Sequence, residues 1–164
     1  MRLRLLAAGL LSALMFHLAL PGGGSPWLGW GVLLLPLIAL DRLGAPAKAI
    51  GRYMALPMGL LFGVLEYRWM RELVPASDVT IPWIMIPAVI VWTFYITLYF
   101  WLFFRGMALL RDRLGHAAIW AAPALWVLLE WIRSSGVFAF SWMNLSQTQA
   151  APGGTLAPAG WIGG

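Results

Sequence analysis

The sequence predicts an all-α membrane protein of about five transmembrane helices followed by an irregular periplasmic or interfacial segment, and three observations carry that expectation. Of the 164 residues, 62% are hydrophobic and only 10% charged, whereas a soluble domain keeps about 25% charged residues because its surface must face water. The mean hydropathy of +0.82 arises from several long runs without any charge, the pattern a helix takes when hydrocarbon is its solvent. The 11 basic residues stand in short clusters between those runs, so the net charge of +5 reads as a topology signal and not as a stripe for nucleic acid. No cysteine occurs, which excludes a disulfide framework, a thiolate metal site and a cysteine nucleophile from this stretch.

The first element, residues 3–20, follows Arg2 and Arg4. A basic start leading into an apolar helix also fits a cleaved signal. An uncleaved first helix is the preferred reading, because further spans follow and Pro21-Gly22-Gly23-Gly24 reads as a turn. The second element, residues 27–40, is short against the roughly 20 residues a span needs; it is extended by its flanks, tilted or only partly inserted. A basic loop, residues 41–52, leads to the third element, residues 53–74, where Gly59 and Gly63 form a GxxxG pair. Small residues at that spacing let helix backbones approach closely, so both are assigned to helix packing.

The fourth element, residues 81–104, carries no charge and bears Trp83, Trp92 and Trp101. Trp83 and Trp101 are candidate interface anchors, and Pro87 either kinks the helix or marks its first turn. The fifth, residues 116–133, has Pro123 near its start or at a bend. Residues 134–164, with Phe138, Phe140, Trp142 and Trp161, are too irregular for a span and are expected to be re-entrant or interfacial, leading toward a sixth span. Placing the N-terminus inside puts Arg2, Arg4, Arg42, Lys48, Arg52, Arg105, Arg111 and Arg113 on the cytoplasmic face and leaves Arg68, Arg71 and Arg133 outside. That bias is the one cytoplasmic loops show.

Charged groups at membrane depth are expensive, so each is a functional candidate. Trp126, Glu130 and Arg133 follow i, i+4, i+7 spacing and share one helix face. Two readings of Glu130 stand side by side: a pair with Arg133 that fixes the helix end, or part of a site for a lipid headgroup. Glu66, Arg68, Arg71 and Glu72 crowd the end of the third element beside Trp69, where snorkelling and mutual pairing explain them without a function. His17 stands alone on an apolar helix and His116 beside a basic loop; neither has a second ligand at helical spacing, so no metal site is expected. No phosphate-cradling glycine motif, nucleophile elbow or HExxH occurs, and no cofactor is expected.

The run Ala121-Ala-Pro-Ala-Leu-Trp-Val-Leu-Leu-Glu-Trp-Ile-Arg133, followed by Phe140-Ser-Trp142, Gln149, Leu156-Ala-Pro158 and Gly160-Trp-Ile-Gly163, resembles the apolipoprotein N-acyltransferases. That family carries a PALW helix with a following E and R, then a GFPW-type element, a YSQ and a glycine pair, in this order. Ser25-Pro26-Trp27 and the succession Gly59, Gly63, Trp69 agree more weakly. The chain departs from the pattern where Gly-Phe-Pro becomes Ala139-Phe140-Ser141 and Gly-Tyr-Ser-Gln becomes Ser146-Gln147-Thr148-Gln149.

The resemblance implies an enzyme of the bacterial inner membrane that moves an acyl chain from a phospholipid, through a thioester on an enzyme cysteine, to the N-terminal cysteine of a diacylated lipoprotein. It implies that a periplasmic nitrilase-like domain, not contained in these residues, supplies the catalytic Glu, Lys and Cys. The 164 residues are therefore expected to anchor the enzyme and shape lipid access, and to be inactive alone, since acyl transfer needs a thiolate they lack. By resemblance Trp142 shapes the route of lipid or lipoprotein, with Glu130, Arg133, Trp126 and Gln149 as further access candidates and no catalytic residue or metal ligand in the stretch. Two alternatives are a non-catalytic relative that binds lipid or a partner subunit, including a separate nitrilase-like chain, and a small transporter. The transporter needs a polar pathway that the charge-free fourth element does not offer.

Overall fold

The computed structural model describes residues 1–68, 82–135, 139, 144–150 and 154–155. Among these there are helices and turns and no strand, and four stretches are long and apolar enough to cross a membrane: Arg2–Ala19, Pro26–Leu43, Ala47–Glu66 and Met85–Arg133. The last is divided by Gly115, whose φ of 59° lies in the left-handed region that residues with a Cβ avoid.

Helix α1, Arg2–Ala19, buries Leu5, Ala8, Ser12, Ala13, Phe16 and Ala19, a stripe at three- and four-residue spacing. It stops where Leu20 turns extended before Pro21, and Gly22 and Gly24 at φ 99° and 79° form the turn. A 3₁₀ turn, Pro26–Trp30, precedes α2, Gly31–Leu43. Together they make 18 residues, longer than the sequence suggests. Asp41 and Arg42 prolong the helix until Gly44 caps it at φ 55°. Arg111 donates to the carbonyls of Leu40 (2.7 Å) and Ala45 (2.9 Å), so the helix end is held from a neighbouring helix.

Helix α3, Ala47–Glu66, begins six residues ahead of Tyr53, because Pro46 at its N-cap sets the start. It carries a π turn, Gly51–Ala55, just before Pro57. Proline has no N–H for the preceding turn and its ring crowds that turn's carbonyl, and a wider turn accommodates both. Residues 69–74 of the expected span, with Trp69, Arg71 and Glu72, lie outside the described residues. Helix α4, Met85–Leu114, has 30 residues, about 45 Å at 1.5 Å per residue. It runs ten residues past the expected end at 104, through Arg105, Arg111, Asp112 and Arg113. Pro87 sits in its first turn, where a missing N–H leaves no bond unmade. A 3₁₀ turn, Gly115–Ala121, leads into α5, Ala122–Arg133, with Pro123 in its first turn. A short helix α6, Leu145–Ala150, follows.

Glycines set the helix approaches. Gly9 of α1 lies against the backbone of Met54, and farther along Phe16 stacks on Phe62 with ring centroids 4.5 Å apart, so α1 and α3 run parallel. Gly59 and Gly63 of α3 meet Thr97 and Thr93 of α4, an antiparallel seam of small residues facing a threonine pair. Helix α5 folds back along α4, with Leu125 against Gly106 and Trp126 against Phe103. At the centre Phe16, Phe62, Phe100 and Trp126 form one aromatic cluster. Leu11, Leu14, Leu18, Leu60, Val64, Val91, Phe94, Leu98 and Val127 are exposed, the outward apolar surface that a hydrocarbon solvent requires.

Hydrogen-bonded side-chain pairs join helices that the sequence leaves separate. His17 is not alone: its Nδ1 lies 2.5 Å from Glu66 Oε1, joining the ends of α1 and α3. Glu66 therefore reaches across to α1 rather than pairing only within its own cluster. At the opposite end His116 Nδ1 meets Asp41 Oδ1 at 2.6 Å. Trp83 is exposed, whereas Trp101 is partly buried, lying over Gly51 with the Arg105 guanidinium 5.3 Å from its ring.

Candidate functional site

The Trp126, Glu130 and Arg133 face of α5 turns toward the bundle. Helical spacing alone sets this: four and then three residues return each side chain to the same side, with Pro123 starting the helix so that the stripe meets α4. Trp126 is buried between Phe100 (5.6 Å, tilted) and Phe103 (5.1 Å, edge-on). Its Nε1 has no hydrogen-bond partner among the described residues. Arg133 is 2% exposed, a depth at which an arginine must be surrounded by acceptors. It donates to Asn144 Oδ1, its guanidinium lies 5.9 Å from the Tyr99 ring centre, and Tyr67 and Tyr95 belong to its electrostatic surroundings. Tyr95 and Tyr99 are themselves in contact through their hydroxyls at 3.3 Å.

Glu130 does not form an ion pair with Arg133 among the described residues. Its Oε1 instead accepts the backbone N–H of Leu145 at 2.6 Å. The i, i+3 neighbours thus diverge to adjacent residues, 144 and 145, of the segment that returns over the helix end. Glu130 remains part of the electrostatic surroundings of Arg133, without a direct contact among the described residues.

Gln149 is also buried. Its amide Nε2 donates to the carbonyl of Pro26 at 2.8 Å and to Thr148 Oγ1 at 3.1 Å, and its Oε1 accepts from Thr155 Oγ1 at 3.0 Å. Gly29 allows this approach, since a Cβ there would stand 2.8 Å from Gln149 Nε2. Trp142 lies outside the described residues, as do Phe138, Phe140 and Trp161.

Two open apolar grooves, each of about 550 Å³, lie on the bundle surface. One lies between α2 and α5, walled by Trp30, Leu33, Leu37, Trp120 and Val127 and closed at one end by Leu145. The other runs along the first turns of α4 from Ile84 and Pro87 to Trp92 and Tyr95. Chemically the arrangement offers a buried guanidinium amid phenols, in a bundle with hydrocarbon-compatible surface. Among the described residues no group of three or more His, Asp or Glu side chains is disposed to hold a metal.

Sequence reasoning passed over Asn144, Tyr95, Tyr99 and the His17–Glu66 pair. Tyr95 and Tyr99 carried a signal, two hydroxyl-bearing aromatics at i, i+4 in an otherwise apolar helix. So did His17 and Glu66, each about four turns from the basic residues that begin its helix, a matching depth. Asn144 had none.

A family model described as Apolipoprotein N-acyltransferase N-terminal domain matches residues 12–164. No curated protein and no solved structure matches the chain.

Proposed function

The chain belongs to the apolipoprotein N-acyltransferase N-terminal domain family, and from that premise we propose that it is the membrane half of an enzyme transferring an acyl chain from phospholipid to the N-terminal cysteine of diacylated lipoproteins. In this reading the 164 residues anchor the protein in the bacterial inner membrane and guide lipid toward a nitrilase-like domain that carries Glu, Lys and Cys. The N-terminus is cytoplasmic, and the Glu66 and Arg133 ends of the helices face the periplasm, as the distribution of basic residues favours. The observation that carries the proposal is Arg133, a buried guanidinium set beside Tyr99 at the end of α5, in a bundle whose surface carries two apolar grooves. A phospholipid presents an anionic phosphate above acyl chains, and that combination matches a cation in a bundle with lipid-compatible surface.

The test is acyl transfer from a labelled phospholipid to a diacylated lipoprotein in membranes, with this chain alone and with a nitrilase-like domain continuing it. The chain alone should be silent, because no residue can form the thioester. The extended protein should be active, with Arg133→Met depressed and Arg133→Lys intermediate, since lysine keeps the charge but not the planar fork. Transfer by residues 1–164 alone, or an Arg133→Met protein as active as its parent, would refute the reading. Silence of the extended protein would favour a non-catalytic membrane relative instead.

A further inference from the structure

Three of the side chains that the lipid-access reading singles out, Glu130, Arg133 and Gln149, also tie the returning segment to the bundle. The geometry points to Glu130, Arg133 and Gln149 as positioning residues of one clamp that holds Asn144, helix α6 and Thr155 over the ends of α1 and α5. Glu130 accepts the Leu145 N–H at 2.6 Å, and Arg133 holds the Asn144 carboxamide oxygen. Gln149 reaches back 123 residues to the Pro26 carbonyl at 2.8 Å while its oxygen receives Thr155 Oγ1 at 3.0 Å. Three anchors from α5 and α6 thus grip two neighbouring residues, the α1–α2 connection and Thr155, five residues beyond α6.

Helix α6 has six residues, far below the roughly 12–15 at which a helix sustains itself. Its place therefore has to come from outside. Thr148 is fully buried, and its hydroxyl donates to Leu145 O at 2.7 Å, so the short helix presents its inner face to the bundle rather than floating. The anchors also satisfy backbone groups, the Leu145 N–H and the Pro26 carbonyl, that would otherwise be stranded away from water.

The functional consequence is positional. The clamp fixes where Asn144 and Leu145 stand against the end of α5. Trp142, the access tryptophan of the resemblance, lies two residues from Asn144. The clamp stands on the bonds above; its importance for lipid access rests on the acyltransferase reading.

The chain lacks cysteine, so Thr148→Cys supplies a single buried thiol whose reaction with a water-soluble maleimide reports how often α6 lifts away. The full chain in detergent micelles or nanodiscs is the sample. Glu130→Ala and Gln149→Ala should each raise the labelling rate about tenfold, the effect of losing a buried hydrogen-bond anchor. Glu130→Gln should stay near the parent rate, because its amide oxygen still accepts the Leu145 N–H. Helix content and the thermal midpoint of the bundle should be unchanged in Gln149→Ala, which separates the clamp from general destabilisation. Labelling indifferent to both alanine variants would overturn the proposal. So would Glu130→Gln labelling as fast as Glu130→Ala, which would assign Glu130 a role through its charge. Should the extended enzyme lack acyl transfer while the labelling pattern holds, the function reading falls and the clamp stands.

Discussion

Gly59→Ala sets two effects of opposite sign against each other. In an isolated helix, alanine in place of a mid-helix glycine stabilises by about 0.8–1.0 kcal/mol. In this bundle the new methyl carbon would stand 2.5 Å from Thr97 Cα, 2.7 Å from its Oγ1 and 2.8 Å from its Cβ. Ordinary contact begins near 3.4 Å, so α3 and α4 must part by about 0.9 Å along this line. The closest atom belongs to backbone, which cannot swing aside. Such overpacking costs about 1–3 kcal/mol, and parting the helices also loosens the Phe62–Phe100 contact at 5.7 Å. With the strain at the middle of its range it exceeds the propensity gain by about 1 kcal/mol, and a net destabilisation of up to about 2 kcal/mol is expected. Gly63→Ala should be milder, because its closest neighbour is the Thr93 methyl at 2.8 Å, with Thr93 Cα at 2.9 Å. Equilibrium unfolding in mixed micelles, followed by helicity, measures both. A Gly59→Ala protein as stable as its parent would refute the close-packed seam. Adding Thr97→Ala should not restore stability, since Thr97 Cα remains; full rescue would show that the hydroxyl alone set the spacing.

Two further outcomes follow from the packing. Trp126→Ala should cost about 3–5 kcal/mol by emptying the space between Phe100 and Phe103, whereas Trp126→Phe should cost under about 1.5 kcal/mol, because the indole N–H has no partner among the described residues to lose; equal losses in the two unfolding curves would contradict this. A double-mutant cycle on His17→Ala and Glu66→Ala should give a favourable coupling of about 1–3 kcal/mol, and a coupling of zero would mean that the 2.5 Å contact contributes nothing to joining α1 and α3.

The helical membrane class and the approximate number of helices are written in composition and in the lengths of the apolar runs, since hydrocarbon admits few other backbone arrangements. The packing face of α3 was also legible, because GxxxG is a local pattern. So was the shared face of Trp126, Glu130 and Arg133, which follows from 3.6 residues per turn. Partners across the chain were not legible. Spacing puts Glu130 beside Arg133, yet a side chain bonds to whichever group lies nearest in three dimensions, and Leu145 and Asn144 are brought there by the return of the chain. For the same reason His17 reads as isolated until α1 and α3 lie parallel at matching depth, and Gln149 reveals its role only when Pro26, 123 residues away, is folded against it. Local periodicity determined which residues face inward; only the tertiary fold decided whom they meet, because hydrogen bonds act over about 3 Å and that distance is unrelated to separation along the chain.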